Sequence, residues 1–307
     1  MRMPDTTHTD IESRDIFTLL MLAAMWGISF MFMRVIAPAI GWAWAADLRV
    51  AIGGALIAAI LWQRKQRLYL QRDAQHFLII GLINSAIPFA LFAIAALYIP
   101  AAYSAIGNAT APLWSALLGI AIARRGPGTM KSIGLGLGLA GVAVTTSAGT
   151  VSVGWVTVLA FGGTLLAALL YAIAGQYMKT RAAHIEPMAL GCGSQLAAAL
   201  WLLPTLPFAT PASIDWSPTL IACILGSGII STGLPYVLYF PLMRRIGVTR
   251  AMTVTFLVPC FAIFWAWLFL AETISAGTFA GIFMVLVGVY LALGLNVRPS
   301  PVPATGK

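Results

Sequence analysis

The chain of 307 residues is 60% apolar and only 9% charged, with a mean hydropathy of +0.92 and a formal net charge of +9. A soluble domain carries about 25% charged residues, so this composition excludes an ordinary soluble protein and favours a membrane protein. The basic residues lie in short clusters between apolar runs rather than on one polar face, which argues against a nucleic-acid-binding surface.

A polar stretch, residues 1–15, opens the chain and predicts a cytoplasmic tail, and the Pro-rich stretch 296–307 predicts a disordered one. Between them lie apolar runs that are long enough to cross a bilayer, which takes about 20 residues. Since backbone polar groups must be paired within lipid, and the runs do not alternate strictly, each is expected to be a helix. The ten predicted spans are 16–36, 44–62, 77–97, 101–123, 129–147, 154–178, 187–206, 218–241, 249–270 and 276–295.

The basic residues predict the orientation of these spans. Apart from Arg34 and Arg49, every Lys and Arg falls in a terminus or in an alternate connection, so all of them lie on one side of the bundle. The positive-inside rule makes that side cytoplasmic. We therefore expect a multi-pass protein of the plasma (inner) membrane with both termini in the cytoplasm.

The chain also aligns with itself after a shift of 147 positions. This shift matches residues that punctuate helices rather than the abundant Leu and Ala: Gly81 with Gly228, Pro88 with Pro235, Pro112 with Pro259, Gly134 with Gly281 and Gly141 with Gly288. The interpretation is an all-α protein of two five-helix repeats, residues 1–149 and 150–307. An odd number of helices inverts the second repeat, which is an architecture of secondary transporters.

Four prolines stand inside apolar spans, and each removes a hydrogen bond to the carbonyl four residues before it. A polar residue occupies that earlier position every time: Asn84 before Pro88, Asn108 before Pro112, Ser231 before Pro235 and Thr255 before Pro259. A single case would indicate a packing kink satisfied by neighbouring helices. Bends and polar groups at matched places in two halves instead predict a substrate site around a central cavity near mid-membrane.

The pattern resembles the drug/metabolite transporter superfamily, in its ten-helix branch with two EamA-type repeats. The residues that carry the resemblance are Trp26-Gly27-Ile28-Ser29-Phe30 followed by Arg34, Arg49 in the second span, the Ala-rich start of the fourth span before Pro112, and Ala271-Glu272 after the ninth. One departure is Arg124-Arg125-Gly126, which stands where an acidic residue is common in the first half.

Within that superfamily the chain looks most like the YddG-type amino-acid exporters. The resemblance implies a cavity lined by the third, fourth, eighth and ninth helices, and export of neutral, in particular aromatic, amino acids and related metabolites by alternating access. The matching candidate lining residues are the four polar–proline pairs together with the aromatic residues Trp26, Tyr103, Trp114, Tyr236 and Tyr239.

Three charged residues lie within or near the spans, namely Arg34, Asp47 and Arg49. They are candidates for a charge or coupling role, while snorkelling toward the interface is an equal alternative for Arg34 and Asp47. Multidrug or other metabolite efflux, and less so a channel, remain alternative functions. The sequence shows no nucleophile, metal or acid–base set at depth, so neither an enzyme, nor a metal site, nor a cofactor is expected. The expected partners are a small-molecule substrate and the lipid bilayer.

Overall fold

We describe a computed structural model that covers residues 12–123, 128–147, 154–211, 213–247, 251, 254–273 and 275–293. Most of the predicted N-terminal tail (residues 1–11) and the whole predicted C-terminal tail (296–307) lie outside these residues. The segment with Arg124-Arg125-Gly126 lies outside them as well.

The described residues form apolar helices joined by short connections. In chain order these are α1 (Ser13–Ile40), α2 (Trp42–Gln63), α3 (Leu70–Tyr98), α4 (Ala101–Asn108 and Ala111–Ala123), α5 (Thr129–Ser147), α6 (Trp155–Arg181), α7 (Pro187–Leu202), α8 (Pro218–Ile246), α9 (Val254–Leu270) and α10 (Ala276–Leu293). A 3₁₀ segment, Leu203–Phe208, continues α7.

The lengths of the helices indicate how they relate to a bilayer. Within the described ranges, the seven helical stretches α1–α4 and α6–α8 are long and apolar enough to cross a membrane, and α5, α9 and α10 are shorter apolar helices. The chain is therefore a multi-pass helical membrane protein. Helix α1 begins at Ser13 rather than at position 16, because Glu12 and Asp15 form a capping box at its start.

Helices α3 and α8 each contain one turn of π-helix near the middle of their 29 residues. The two turns, Leu82–Ala86 and Ile229–Gly233, occupy positions that differ by the same 147-residue shift that relates the halves of the sequence. In each helix a proline follows two residues after the turn, at Pro88 and at Pro235. The prolines thus mark two matched sites where the regular hydrogen-bond ladder is interrupted.

The prolines of α4 and α9 act differently from each other. Helix α4 breaks into two parts at Ala109 and Thr110, just before Pro112, and the Thr110 hydroxyl donates to the Gly107 carbonyl at 2.6 Å. This bond satisfies one of the carbonyls that a helix end leaves free. In α9, by contrast, Pro259 lies inside one helical segment, Val254–Leu270.

Helices α5 and α10 pack against each other through glycines. A Cβ atom added to Gly134 would lie 2.6 Å from the Gly288 carbonyl oxygen, and one added to Gly288 would lie 2.5 Å from the Gly138 amide nitrogen. Backbone atoms cannot move aside as a flexible side chain would. This crossing of the last helices of the two halves therefore requires glycine, as is common for helices packed in lipid.

A second close approach brings α2 against the π-turn of α8. A Cβ atom on Gly53 would lie 2.5 Å from Thr232 Cγ2, and a Cβ atom on Gly228 would lie 2.5 Å from Ile52 Cβ. The largest cluster of buried apolar side chains draws its members chiefly from α1, α2, α3, α8 and α9 around this approach. The packing thus holds the two halves together at the level of the π-turns.

Candidate functional site

A cavity of about 420 Å³ lies among the helices at the level of the two π-turns, with lining side chains from α1 to α4 and from α6 to α9. Its polar lining includes Asn84 of the first π-turn and Ser231 of the second. The candidate site residues that line this cavity are Trp26, Arg49, Asn84, Asn108, Ser231, Tyr236, Tyr239 and Thr255. The structure thus brings together the four polar residues that precede the prolines.

The remaining candidates lie elsewhere. The prolines Pro88, Pro112, Pro235 and Pro259 are buried in their helices and do not line the cavity, although each lies within one turn of a residue that does. The Tyr103 ring packs edge-on against Phe161, with centroids 6.4 Å apart, in a separate apolar cluster. The half-buried Trp114 also lies away from the cavity.

Arg49 of α2 is the charged side chain among the described lining residues. Its residue is only 6% exposed. The Nε atom donates a hydrogen bond to Thr232 Oγ1 at 3.0 Å, and the guanidinium carbon lies 4.0 Å from the centre of the Phe89 ring. The Thr232 hydroxyl in turn donates to the Ser227 carbonyl at 3.0 Å, so the π-turn fixes the acceptor that positions Arg49.

An equivalent hydrogen bond exists in the other half of the chain. Gln195 Nε2 of α7 donates to Ser85 Oγ at 3.2 Å, and Ser85 becomes Thr232 under the 147-residue shift. Arg49 and Gln195 lie at corresponding depths of α2 and α7, the second helix of each half. The site therefore contains two matched pairs, each of which joins a helix of one half to the π-turn of the other.

Aromatic rings form the walls of the cavity. Trp26 and Tyr239 meet edge to face at 5.4 Å between centroids, and Phe30 meets Phe92 in the same way at 5.5 Å. Phe92 also stacks on Tyr171 at 6.3 Å. A pocket with aromatic walls and a few fixed polar groups is suited to a small amphipathic molecule.

Several lining residues were not among the sequence candidates. They comprise Ser29, Met33, Tyr171, Gln195, Thr232 and Phe240, together with other apolar side chains. Gln195 could have been found, because it is an amide within an apolar span and such groups rarely face lipid. Tyr171 could also have been found, because it aligns with the candidate Trp26 after a shift of 145 positions.

Arg34 and Glu272 lie away from the cavity, near one end of the bundle. Both carboxylate oxygens of Glu272 lie 3.1 Å from the amide nitrogen of Ala101, the first residue of α4. Arg34 Nε lies 3.7 Å from Glu272 Oε1, and Arg34 Nη1 donates to the Ala96 carbonyl of α3. These contacts connect α1, α3, α4 and the segment after α9.

Asp47 is also outside the cavity. The residue is 5% exposed, and its Oδ1 atom has no hydrogen-bond partner in the part of the chain that the structure describes. At the opposite end of the bundle from Glu272, Arg245 of α8 pairs with the buried Asp15 of α1. Arg244 lies 3.4 Å from Glu186, which caps the start of α7. Ionic contacts therefore join helices at both ends of the cavity-containing bundle.

Metal ligation is not indicated within the described ranges, where no group of three His, Cys, Asp or Glu side chains could hold an ion. The arrangement instead combines apolar helices of membrane-spanning length, a central cavity and interrupted helices beside it. These features define the class of polytopic carriers that bind a solute inside the membrane.

Comparison with known proteins gives the family. The EamA-like transporter family matches this chain twice, over residues 14–147 and 158–294. The chain therefore belongs to the EamA-like transporter family, within the drug/metabolite transporter superfamily, and is a transporter of that family.

The uncharacterized transporter YvbV of Bacillus subtilis is similar at 24% identity, over 91% of this chain and 92% of that protein. The uncharacterized transporter YoaV of the same organism is 21% identical, over 89% of this chain and 94% of that protein. An uncharacterized transporter of Archaeoglobus fulgidus is 22% identical, over 90% of this chain and 97% of that protein. A solved crystal structure shares the fold with a TM-score of 0.65 at 15% identity, and the match covers 93% of this chain and 98% of that one.

Proposed function

We propose that this protein is an inner-membrane secondary transporter that exports neutral, in particular aromatic, amino acids and related metabolites by alternating access. In this proposal all ten apolar helices cross the membrane, as two inverted five-helix repeats, with both termini in the cytoplasm. The two family matches, one in each half, and the π-turns at matched positions support the repeat.

One observation carries the proposal: the central cavity combines aromatic walls with amides and hydroxyls from both halves. A neutral amphipathic solute needs this combination, because the rings accept its apolar part while fixed polar groups orient its polar end. The bent helices beside the cavity supply places where bundles can rock and expose it to one side at a time.

Efflux of cationic drugs is the main alternative within the same fold. A cation carrier is expected to place a carboxylate in its cavity. Among the described lining residues the charged group is instead Arg49, which would repel a cationic drug. The lining thus favours a neutral or anionic solute over a cation.

The test is transport by the purified protein in liposomes. Labelled L-phenylalanine is compared with tetraphenylphosphonium, with and without a pH gradient. We expect saturable phenylalanine flux that is accelerated by unlabelled phenylalanine on the opposite side. Flux of tetraphenylphosphonium alone would refute the amino-acid assignment, and phenylalanine flux that never saturates would indicate a channel.

Two substitutions in α4 form a matched pair for the same assay. Asn108→Ala removes a polar group that lines the cavity, and we expect it to lower phenylalanine flux at least about tenfold. Ser115→Ala removes an exposed hydroxyl that donates, within the described residues, to the Ala111 carbonyl of its own helix, and we expect unchanged flux. Equal flux in the two variants would remove Asn108 from the proposed site.

A further inference from the structure

The two matched hydrogen-bonded pairs in the cavity differ in charge. On one side a guanidinium binds the π-turn hydroxyl of Thr232, and on the other side the neutral amide of Gln195 binds the π-turn hydroxyl of Ser85. If both pairs served only to hold α2 and α7 in place, two amides would suffice and no ion would have to be buried. The cation is therefore the feature that needs an explanation.

Within the part of the chain that the structure describes, no carboxylate pairs with the charge of Arg49. Its Nε atom has Thr232 as partner, but no described carboxylate forms a salt bridge with it, and its terminal nitrogens have no hydrogen-bond partner within the described residues. Burying an ion without a counter-charge is unfavourable. The face of Phe89 offsets a part of this cost through a cation–π contact.

A second polar group beside Arg49 also lacks a partner. The Ser231 hydroxyl oxygen is buried, in a residue that is 1% exposed, and it has no hydrogen-bond partner within the described ranges. Ser231 lines the cavity and directly precedes Thr232 in the π-turn. Two unsatisfied groups, a guanidinium fork and a hydroxyl, thus line one cavity. A carboxylate can accept hydrogen bonds from both.

We infer that Arg49 binds the carboxylate of the transported solute, and that the solute is a small monocarboxylate with an apolar body. This assignment rests on the proposed transport function and adds the orientation of the solute: its carboxylate faces Arg49 and its apolar body lies against the aromatic walls of the cavity. A phosphate ester fits less well, because one guanidinium would leave its second negative charge without a cation among the described lining residues.

Thr232 has a supporting role in this assignment as a positioning residue. It accepts from Nε, which leaves the terminal nitrogens of Arg49 free for a planar, two-point contact with a carboxylate. Lysine offers a point charge without that fork. We therefore expect Arg49→Lys to retain only a part of the carboxylate affinity.

The test compares binding of L-phenylalanine and L-phenylalaninamide, which differ in the carboxylate, to the purified full-length protein in detergent. We expect the wild type to bind phenylalanine at least tenfold more tightly than the amide. We expect Arg49→Gln to abolish this preference by weakening phenylalanine alone, and Thr232→Val to reduce it. Arg67→Gln removes the same charge from an exposed position and should leave both affinities unchanged.

The outcomes separate this assignment from the proposed function. Carboxylate-dependent binding without transport in liposomes would sustain the Arg49 assignment and refute export. Three results would each overturn the Arg49 assignment. They are equally tight binding of phenylalanine and phenylalaninamide by the wild type, an equal weakening of both affinities by Arg49→Gln, and no binding of either probe. If Arg49→Gln does not fold, Arg49→Lys and Thr232→Val decide, since a purely structural role would change both affinities alike.

Discussion

Removal of the Glu272 carboxylate should open the end of the bundle that we propose to face outward. Glu272 accepts from the first amide of α4 with both oxygens at 3.1 Å and lies 3.7 Å from Arg34. A hydrogen bond to a charged group contributes about 1.5–3 kcal/mol. The Arg34 side chain is 35% exposed, so the ion pair adds only about 0–1 kcal/mol.

These magnitudes convert into a change in accessibility. Each 1.36 kcal/mol corresponds to a factor of ten, so the combined loss of about 1.5–4 kcal/mol in Glu272→Ala should favour the open state by about 10- to 1000-fold. Glu272→Gln keeps an acceptor for the Ala101 amide but removes the charge, and we expect a smaller effect. The change is measured as the alkylation rate of Ser29→Cys, which lies in the cavity lining. The background lacks the native thiols of Cys192, Cys223 and Cys260.

The assay uses intact cells and a membrane-impermeant maleimide added from outside. Asp215→Ala is the matched control, because it removes an exposed carboxylate from a connection on the same proposed side. An unchanged alkylation rate in Glu272→Ala, or the same acceleration in Asp215→Ala, would refute the role of Glu272 in closure.

Three further predictions concern stability and are checked by thermal unfolding in detergent. Gly134→Ala should lower the unfolding temperature, because the added Cβ would lie 2.6 Å from backbone atoms of α10. Gly136→Ala is the control and should leave the unfolding temperature unchanged, because no described atom lies within 4 Å of the added Cβ. Equal effects of the two substitutions would contradict the tight α5–α10 crossing. Arg245→Gln should cost about 3–5 kcal/mol by removing the cation that pairs with the buried Asp15, and a loss below 1 kcal/mol would refute this. Gln195→Leu should cost about 1–3 kcal/mol by removing the hydrogen bonds to Ser85 and Tyr236, and an unchanged unfolding temperature would contradict it.

The sequence predicted the helices well because the bilayer requires long apolar segments. The predicted spans 101–123 and 129–147 correspond to α4 and α5, and the polar residues before the four prolines meet at one cavity. Periodicity could not distinguish a proline kink from a π-turn, because one π-turn adds a single residue to a helical turn and hardly changes the apolar pattern. The form of the interruption therefore came only from the structure.

Whether a predicted lining residue faces the cavity depends on the rotation of its helix about the helix axis, and two aromatic candidates do not face it. Tyr103 and Trp114 lie on either side of the break at Ala109 and Thr110, and hydropathy does not set how the two parts of α4 turn about their axes. Tyr103 lies in an apolar cluster that the sequence cannot distinguish from a cavity wall. Arg49, by contrast, was recognisable as a candidate because a charge at that depth of a span rarely faces lipid.

The pattern of contacts between halves determines how a bound solute could influence the transporter. Arg49 of the first half bonds to the π-turn of the second half, and Gln195 of the second half bonds to the π-turn of the first. Any rocking of one half against the other must therefore shift both bonds, at the two places where α3 and α8 are already interrupted. A solute that contacted both Arg49 and Gln195 would bind more tightly to the arrangement that spaces these groups correctly. In the alternating access that we propose, that differential affinity would shift the equilibrium between inward- and outward-facing states.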